Sequence, residues 1–167
     1  YVGLSNYGPE DTKRASEILK SMGTPLLIHQ PRYNMMDRWV EDGLLDTLEH
    51  EGVGAIVFSP LKQGILTSKY LKGIPEDSRV AKGGYLPKSH LEPHIIKQAQ
   101  KLNEIAKKRN QTLAQMAIAW LLKDKRITSV LIGASKVSQL KDNLETLHHL
   151  GFSQEELEAI ELILQEN

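Results

Sequence analysis

Four short apolar runs constrain this chain most: residues 1–4, 25–30, 54–58 and 127–132. Each is continuous rather than alternating, the pattern of a strand buried on both faces and hence of parallel pairing. Segments with helical periodicity separate and follow them, so the chain reads as four βα units. A helix begins at Pro9, with Glu10 and Asp11 in its first turn and Ala15, Ile18, Leu19 and Met22 on one face; Gly23 stops it. A less regular helical region spans 37–51 and closes at Gly52. Ile95, Ala99, Leu102 and Ile105 line a further helix, and Thr112-x-x-Gln115 and Ser153-x-x-Glu156 are capping boxes that open two more. Residues 59–90 form a long connection rich in Gly, Pro, Lys and Tyr. Connections of that length in compact domains are often binding loops or lids.

Four parallel strands suit either a small flavodoxin-like sheet or half of an eight-stranded βα barrel, a fold of ~250 residues. The chain starts with Tyr1 rather than Met, inside the first strand. That start favours the second architecture: a (β/α)8 barrel of which residues 1–167 supply the C-terminal half, about four βα units plus a closing helix.

Composition removes several function classes. With 21 basic and 21 acidic residues the formal net charge is zero. No global footprint for nucleic acid or an anionic membrane exists, and any anion site must be local. The apolar runs are too short to span a bilayer, and no signal peptide is expected. The absence of cysteine rules out disulfides and thiolate chemistry and fits a cytoplasmic protein.

Ligands of βα proteins sit at the C-terminal ends of the strands. The segments found there are Ser5-Asn6-Tyr7-Gly8, His29-Gln30-Pro31, Ser59-Pro60-Leu61-Lys62-Gln63-Gly64 and Gly133-Ala134-Ser135-Lys136. They are rich in amides and hydroxyls, with neither paired carboxylates nor metal-ligand spacing. Such a set suits holding a polar ligand by hydrogen bonds. Asn6 and Gly8 by themselves suit the turn before Pro9. Gln30, at a buried strand end, needs partners for both its oxygen and its nitrogen. His29 points to the opposite face and reads as structural. Phe58 is either a core aromatic or a stacking platform.

The fourth strand leads into a helix with Ser135 read as its N-cap and Lys136 directly behind it. A helix N-terminus prefers acidic residues. Either Lys136 is a tolerated exposed lysine, at a cost of ~0.3–1 kcal/mol, or a phosphate beside Ser135 supplies the missing negative charge. Lys69 and Arg79 in the long connection would be further cationic arms.

Together these blocks resemble the C-terminal half of an aldo-keto reductase over essentially the whole chain. The match runs through Gly3-Leu4-Ser5-Asn6-Tyr7, Ile28-His29-Gln30-Pro31-x-Tyr33-Asn34, Phe58-Ser59-Pro60-Leu61-x-Gln63-Gly64, Gly73-Ile74-Pro75-x-Asp77-Ser78-Arg79, and Ile132-Gly133-Ala134-Ser135 followed by Gln139, Asp142 and Asn143. The nearest branch looks like the bacterial glyceraldehyde-3-phosphate (methylglyoxal) reductases, which are similar to the β subunits of voltage-gated potassium channels.

The resemblance implies NADP(H) as cofactor and a small-molecule carbonyl as substrate, with no nucleic-acid or membrane partner. Carried over by motif, Ser5, Asn6 and Gln30 hold the nicotinamide carboxamide, and Phe58 stacks on the nicotinamide ring. Ser59, Pro60, Leu61, Gln63 and Lys69 line the pyrophosphate. Ser135, Lys136 and Arg79 take the 2′-phosphate. Gln139, Asp142 and Asn143 border the adenosine, with Asp142 standing where relatives usually carry Glu. The family's catalytic Asp, Tyr, Lys and His belong to four earlier strands, so no residue of 1–167 is assigned to proton transfer. Residues 1–167 alone are expected to be inactive and to self-associate through two open sheet edges. Two other readings stand beside reduction of aldehydes and ketones: a regulatory NADPH-binding subunit of channel-β type, and a non-catalytic nucleotide-binding domain.

Overall fold

The computed structural model describes residues 1–73 and 92–166. The chain divides into two compact units, Tyr1–Pro60 with Leu121–Gly133, and Leu61–Trp120 with Ala134–Asn167.

The first unit carries the sheet. Its elements are β1 (Val2–Ser5), α1 (Pro9–Ser21), β2 (Leu26–Gln30), α2 (Leu44–Glu51), β3 (Gly54–Val57) and β4 (Ile127–Val130). The strands pair in parallel in the order β1-β2-β3-β4. This sequential order is that of neighbouring strands in a βα barrel. Gly3 pairs with Ile28, Ser5 with Gln30, Ile28 with Gly54 and Ile56 with Ser129. Since parallel partners share a face, Gly3, Ser5, Ile28, Gln30, Gly54, Ile56 and Ser129 line one side of the sheet, and Leu4, His29, Ala55 and Val57 line the other.

Only the second side is well covered. His29, Ala55 and Val57 are fully buried, as are Leu44, Leu45 and Leu48 of α2, while Ile28, Gly54 and Ile56 are half-buried and Gly3 is exposed. The expectation of burial on both faces is therefore corrected to burial on one. Glycines explain part of this, since they bury almost nothing themselves. A Cβ on Gly3 would stand 2.9 Å from Ile28 Cγ2 and 3.2 Å from its carbonyl oxygen, so the close approach of β1 to β2 requires glycine.

The helix α1 also departs from expectation. Ala15 and Leu19 are half-buried, but Ile18 and Met22 are 51% and 71% exposed, and the buried residues are Thr12 and Ser16. A polar clasp explains the rotation. Ser16 Oγ donates to Glu51 Oε2 at 2.6 Å, and Lys20 Nζ reaches the same oxygen at 2.7 Å, tying α1 to the end of α2. The irregular helical region resolves into a 3-10 turn at Trp39–Glu41 and then α2, separated by Gly43 at φ 86°. Before that turn, the buried Tyr33 hydroxyl donates to Glu41 Oε1 at 2.6 Å, and Arg38 grips the same carboxylate at 2.9 and 2.7 Å.

The second unit is helical: α3 (Pro93–Lys108), α4 (Leu113–Leu122, its last two residues in the first unit), α5 (Val137–Leu144) and α6 (Gln154–Leu164). Both capping boxes form. Thr112 Oγ1 accepts from Gln115 N at 3.2 Å while Thr112 N donates to Gln115 Oε1 at 2.9 Å, and Ser153 exchanges the same bonds with Glu156. Glu156 is held a second time by Arg109, whose side chain is 1% exposed. Arg109 also donates to Gln111 Oε1 and to the Gly151 carbonyl, both at 2.8 Å, and lies 3.8 Å over the Phe152 ring. It thus joins the end of α3 to the start of α6, which pack together. Among the described residues no helix is long and apolar enough to cross a membrane.

Candidate functional site

The C-terminal ends of β1, β2 and β3 bring together Ser5, Asn6, Gln30, Phe58, Ser59 and Pro60, all in the first unit. Ser5 and Gln30 are register partners, and Ser5 Oγ donates to the Gln30 carbonyl at 2.8 Å. Asn6 leaves the strand at φ 56°, a left-handed conformation that Asn tolerates better than most residues. Its Oδ1 accepts from the Arg32 N–H at 2.9 Å, and its Nδ2 lies 3.4 Å from Ser5 Oγ. Asn6 thereby fixes β1 to the segment following β2.

That segment continues the sheet. The Phe58 N–H donates to the Pro31 carbonyl at 3.1 Å and the Tyr33 N–H donates to the Phe58 carbonyl at 3.2 Å, so Arg32 and Phe58 form a parallel bridge. Phe58 and Arg32 therefore project on the same side as Gln30 and Ser5. Ser59 follows at φ 57°, its carbonyl accepting from Asn34 Nδ2 at 3.1 Å, and Pro60 is buried behind it. Left-handed non-glycine residues at the ends of β1 and β3, on either side of β2, are a form of local strain that concentrates at functional sites.

The central feature is the Gln30 side chain. It is half-buried on the open face, and among the described residues its amide makes no hydrogen bond, although its main-chain carbonyl is taken by Ser5. A primary amide offers two donors and an acceptor oxygen. Such a group complements another carboxamide, and the half-buried Phe58 ring stands in the adjoining strand on the same side. His29, facing the other way, is fully buried, and neither ring nitrogen has a hydrogen-bond partner among the described residues; burial lowers its pKa.

In the second unit Leu61 is half-buried, and Lys62, Gln63 and Gly64 all have positive φ, at 45°, 55° and 98°. Gln63 is exposed. Lys69 is exposed too, its ammonium 5.5 Å from the centre of the Tyr70 ring. Arg79 lies outside the described residues.

The remaining candidates sit on α5 and the residue pair before it. The helix begins one residue later than the sequence implies: Lys136, in extended conformation, is its N-cap, and no side chain caps it. Ser135 is not the cap because its N–H and hydroxyl both go to Gln139 Oε1, at 2.9 and 3.0 Å. The first turn contains no acidic residue, and Lys136 is exposed. Uncapped N–H groups, a partial positive charge and a nearby ammonium are the elements of an anion site. Asp142 turns away from that end. Its Oδ1 and main-chain carbonyl accept from Gln115 Nε2 at 2.9 and 3.0 Å, and its Oδ2 from Thr112 Oγ1 at 3.3 Å, joining α5 to the cap of α4. Asn143 is only 7% exposed, and among the described residues its side chain has no hydrogen bond.

The motif reading has no place for Arg32. The available signal was its spacing, two residues past Gln30 and hence on the same side of the extended chain.

The profile of the aldo/keto reductase family matches residues 1–165. The chain is 52% identical over 167 residues to the L-glyceraldehyde 3-phosphate reductase of Escherichia coli (strain K12), covering 96% of this chain and 48% of that protein. It is 38% identical over 125 residues to a probable voltage-gated potassium channel subunit beta of Arabidopsis thaliana, covering 72% of this chain and 38% of that protein. A probable channel subunit beta of Oryza sativa subsp. japonica is 35% identical over 171 residues, 99% of this chain and 52% of that protein. The chain thus spans about half the length of the curated relatives it matches.

Proposed function

The chain belongs to the aldo/keto reductase family, and we propose that residues 1–167 are the cofactor-holding C-terminal half of one barrel domain that reduces small carbonyl compounds with NADPH in the cytoplasm. The observation that carries this is the unspent Gln30 amide on the open face of the sheet, beside Ser5, Asn6 and Phe58. In this reading the Gln30 amide and the Asn6 Nδ2 group hold the nicotinamide carboxamide, and Phe58 supplies a flat apolar face for the ring. The second unit's Ser135 and Lys136, with the uncapped start of α5, take the 2′-phosphate. Gln139, Asp142 and Asn143 border the adenosine; the buried, unspent Asn143 amide fits a base edge. Leu61, Gln63 and Lys69 line the pyrophosphate, as do Ser59 and Pro60.

The bound cofactor supplies hydride, and these residues bind and orient it. Ser5 fixes the Gln30 backbone, which keeps the amide in place. The general acid is assigned to the family's Asp, Tyr, Lys and His, for which 1–167 contains no matching motif.

The relative named L-glyceraldehyde 3-phosphate reductase supports a short aldehyde carrying a phosphate as the substrate class. Its 52% identity, against 38% for a channel subunit beta, favours reduction over a regulatory role. The full-length polypeptide should oxidise NADPH with glyceraldehyde, glyceraldehyde 3-phosphate or methylglyoxal, followed as loss of nicotinamide absorbance. Purified 1–167 should not. Turnover by 1–167 alone would overturn the half-barrel division, and an inert full-length protein would overturn the reductase.

A further inference from the structure

We propose that Arg32 binds the phosphate of the substrate and so sets the preference for phosphorylated over unphosphorylated aldehydes. The proposal rests on the reductase reading given above. Arg32 and Phe58 form the outermost bridged pair of the sheet described here, one layer beyond the pair of Ser5 and Gln30. Two residues of extended chain carry Arg32 about 6.6 Å past Gln30 on the same side. In a triose phosphate four bonds separate the aldehyde carbon from phosphorus, about 5 Å at single-bond lengths near 1.5 Å. A carbonyl presented at the nicotinamide level would therefore place its phosphate at the level of the Arg32 main chain, within the reach of its long side chain.

The residue is built to stay there. Its N–H is held by Asn6 Oδ1 at 2.9 Å and its carbonyl accepts from the Trp39 indole N–H at 2.8 Å. Its Nε donates to Asp37 Oδ2 at 2.5 Å, which fixes the plane of the guanidinium. Nη1 and Nη2 have no hydrogen-bond partner among the described residues, and the side chain is 56% exposed. An open pair of guanidinium amino groups matches two oxygens of a phosphate. Further along the same segment, Arg38 and Glu41 neutralise one another. Among the described residues Asp37 is the one anion in contact with Arg32, and it occupies the Nε edge rather than the Nη pair.

The test uses the full-length enzyme with Arg32→Ala and Arg32→Lys. Both keep the backbone bonds to Asn6 and Trp39. Arg32→Ala is expected to raise KM for glyceraldehyde 3-phosphate at least about tenfold, the worth of a charge-assisted bidentate contact. Its kcat, its kinetics with glyceraldehyde and its Kd for NADPH should stay within about twofold of the wild type, differences of a few tenths of a kcal/mol. Inhibition by inorganic phosphate, competitive against aldehyde in the wild type, should weaken in parallel. Arg32→Lys should recover part of the loss, since it keeps the charge and loses the fork. Equal losses with both aldehydes, or no loss with either, overturn the assignment while leaving the reductase standing. A wild-type enzyme inert toward both aldehydes overturns the reductase reading and this inference with it.

Discussion

The strand-end cluster of the first unit and the α5 cluster of the second differ in how their hydrogen bonds are spent. At the strand ends the backbone is fixed and the side chain is free: Ser5 holds the Gln30 carbonyl, and among the described residues the Gln30 amide has nothing to hold. Around α5 most polar side chains are already paired, Ser135 with Gln139 and Asp142 with Gln115, leaving Asn143 without a partner among the described residues, while the backbone N–H groups of the first turn lack a cap. One cluster is preorganised for a neutral polar group. The other offers an ammonium and a helix end, and a ligand there must exchange existing bonds for new ones. The first should govern where the reacting ring lies, the second how tightly and how selectively the phosphate end is held.

The largest effect is expected at the preorganised cluster. Gln30→Leu keeps the volume and removes the amide, so about two hydrogen bonds, roughly 2 kcal/mol, should be lost from the bound state. That predicts about a 30-fold fall in kcat/KM with every carbonyl substrate. An unchanged kcat/KM would mean that the Gln30 amide is only a strand-end filler, and the contrast between the clusters would disappear.

Acid tests the rigidity of the first unit. Burial alone would raise Glu41, but hydrogen bonds from Arg38 and Tyr33 outweigh it and hold the carboxyl below its usual value. Asp124 is lowered by its hydrogen bond with Arg126, against the opposing effect of burial. Both bind protons more weakly folded than unfolded, so their contribution is complete above the unfolded pKa near 4 and is lost as pH falls through the lowered folded values. His29 adds a smaller loss that begins as pH falls below its unfolded value near 6.5, because the unfolded chain takes up a proton that the buried imidazole refuses. Urea denaturation should give a midpoint that declines slightly from pH 7 to 5 and steeply from about pH 4.5 to 2.5. Glu41→Gln should flatten the steep part. A midpoint indifferent to acid would contradict the clasp formed by Tyr33, Arg38 and Glu41.

The smallest effect belongs to Asp142. Asp142→Ala removes bonds to Gln115 and Thr112 and should cost about 1 kcal/mol of stability, with Kd for NADPH changed less than about threefold. A tenfold loss of affinity would show that Asp142 acts on the ligand directly rather than by anchoring α5.

Much of this was legible in the sequence because local rules agreed with the fold. The four strands stand within one or two residues of the apolar runs, and both capping boxes form because each serine or threonine has its partner three residues on. Gln30 could be placed on the ligand side from strand alternation alone. Other features depend on partners far along the chain. Ile18 and Met22 are exposed because Ser16 and Lys20 meet Glu51, a polar contact that helical periodicity does not register. Ser135 loses its capping role to Gln139, which competes for the same hydroxyl four residues later. One-sided burial comes in part from Gly3 and Gly54, which bury almost nothing themselves. Arg32 carried a signal only in its spacing from Gln30, and the bridge to Phe58 is what shows that the extended chain continues that far.

We propose that the strand-end cluster binds the nicotinamide carboxamide and that the start of α5 takes the 2′-phosphate. The most direct test is a titration of NADPH and NADH into the full-length protein and its Gln30→Leu and Lys136→Ala variants, read by fluorescence. Gln30→Leu should weaken NADPH and NADH by the same factor. Lys136→Ala should weaken NADPH alone, about five- to tenfold, the worth of one charge-assisted contact at an exposed helix end. A preference for NADPH that survives Lys136→Ala, or a Gln30→Leu protein that binds both cofactors as tightly as the wild type, would contradict the account.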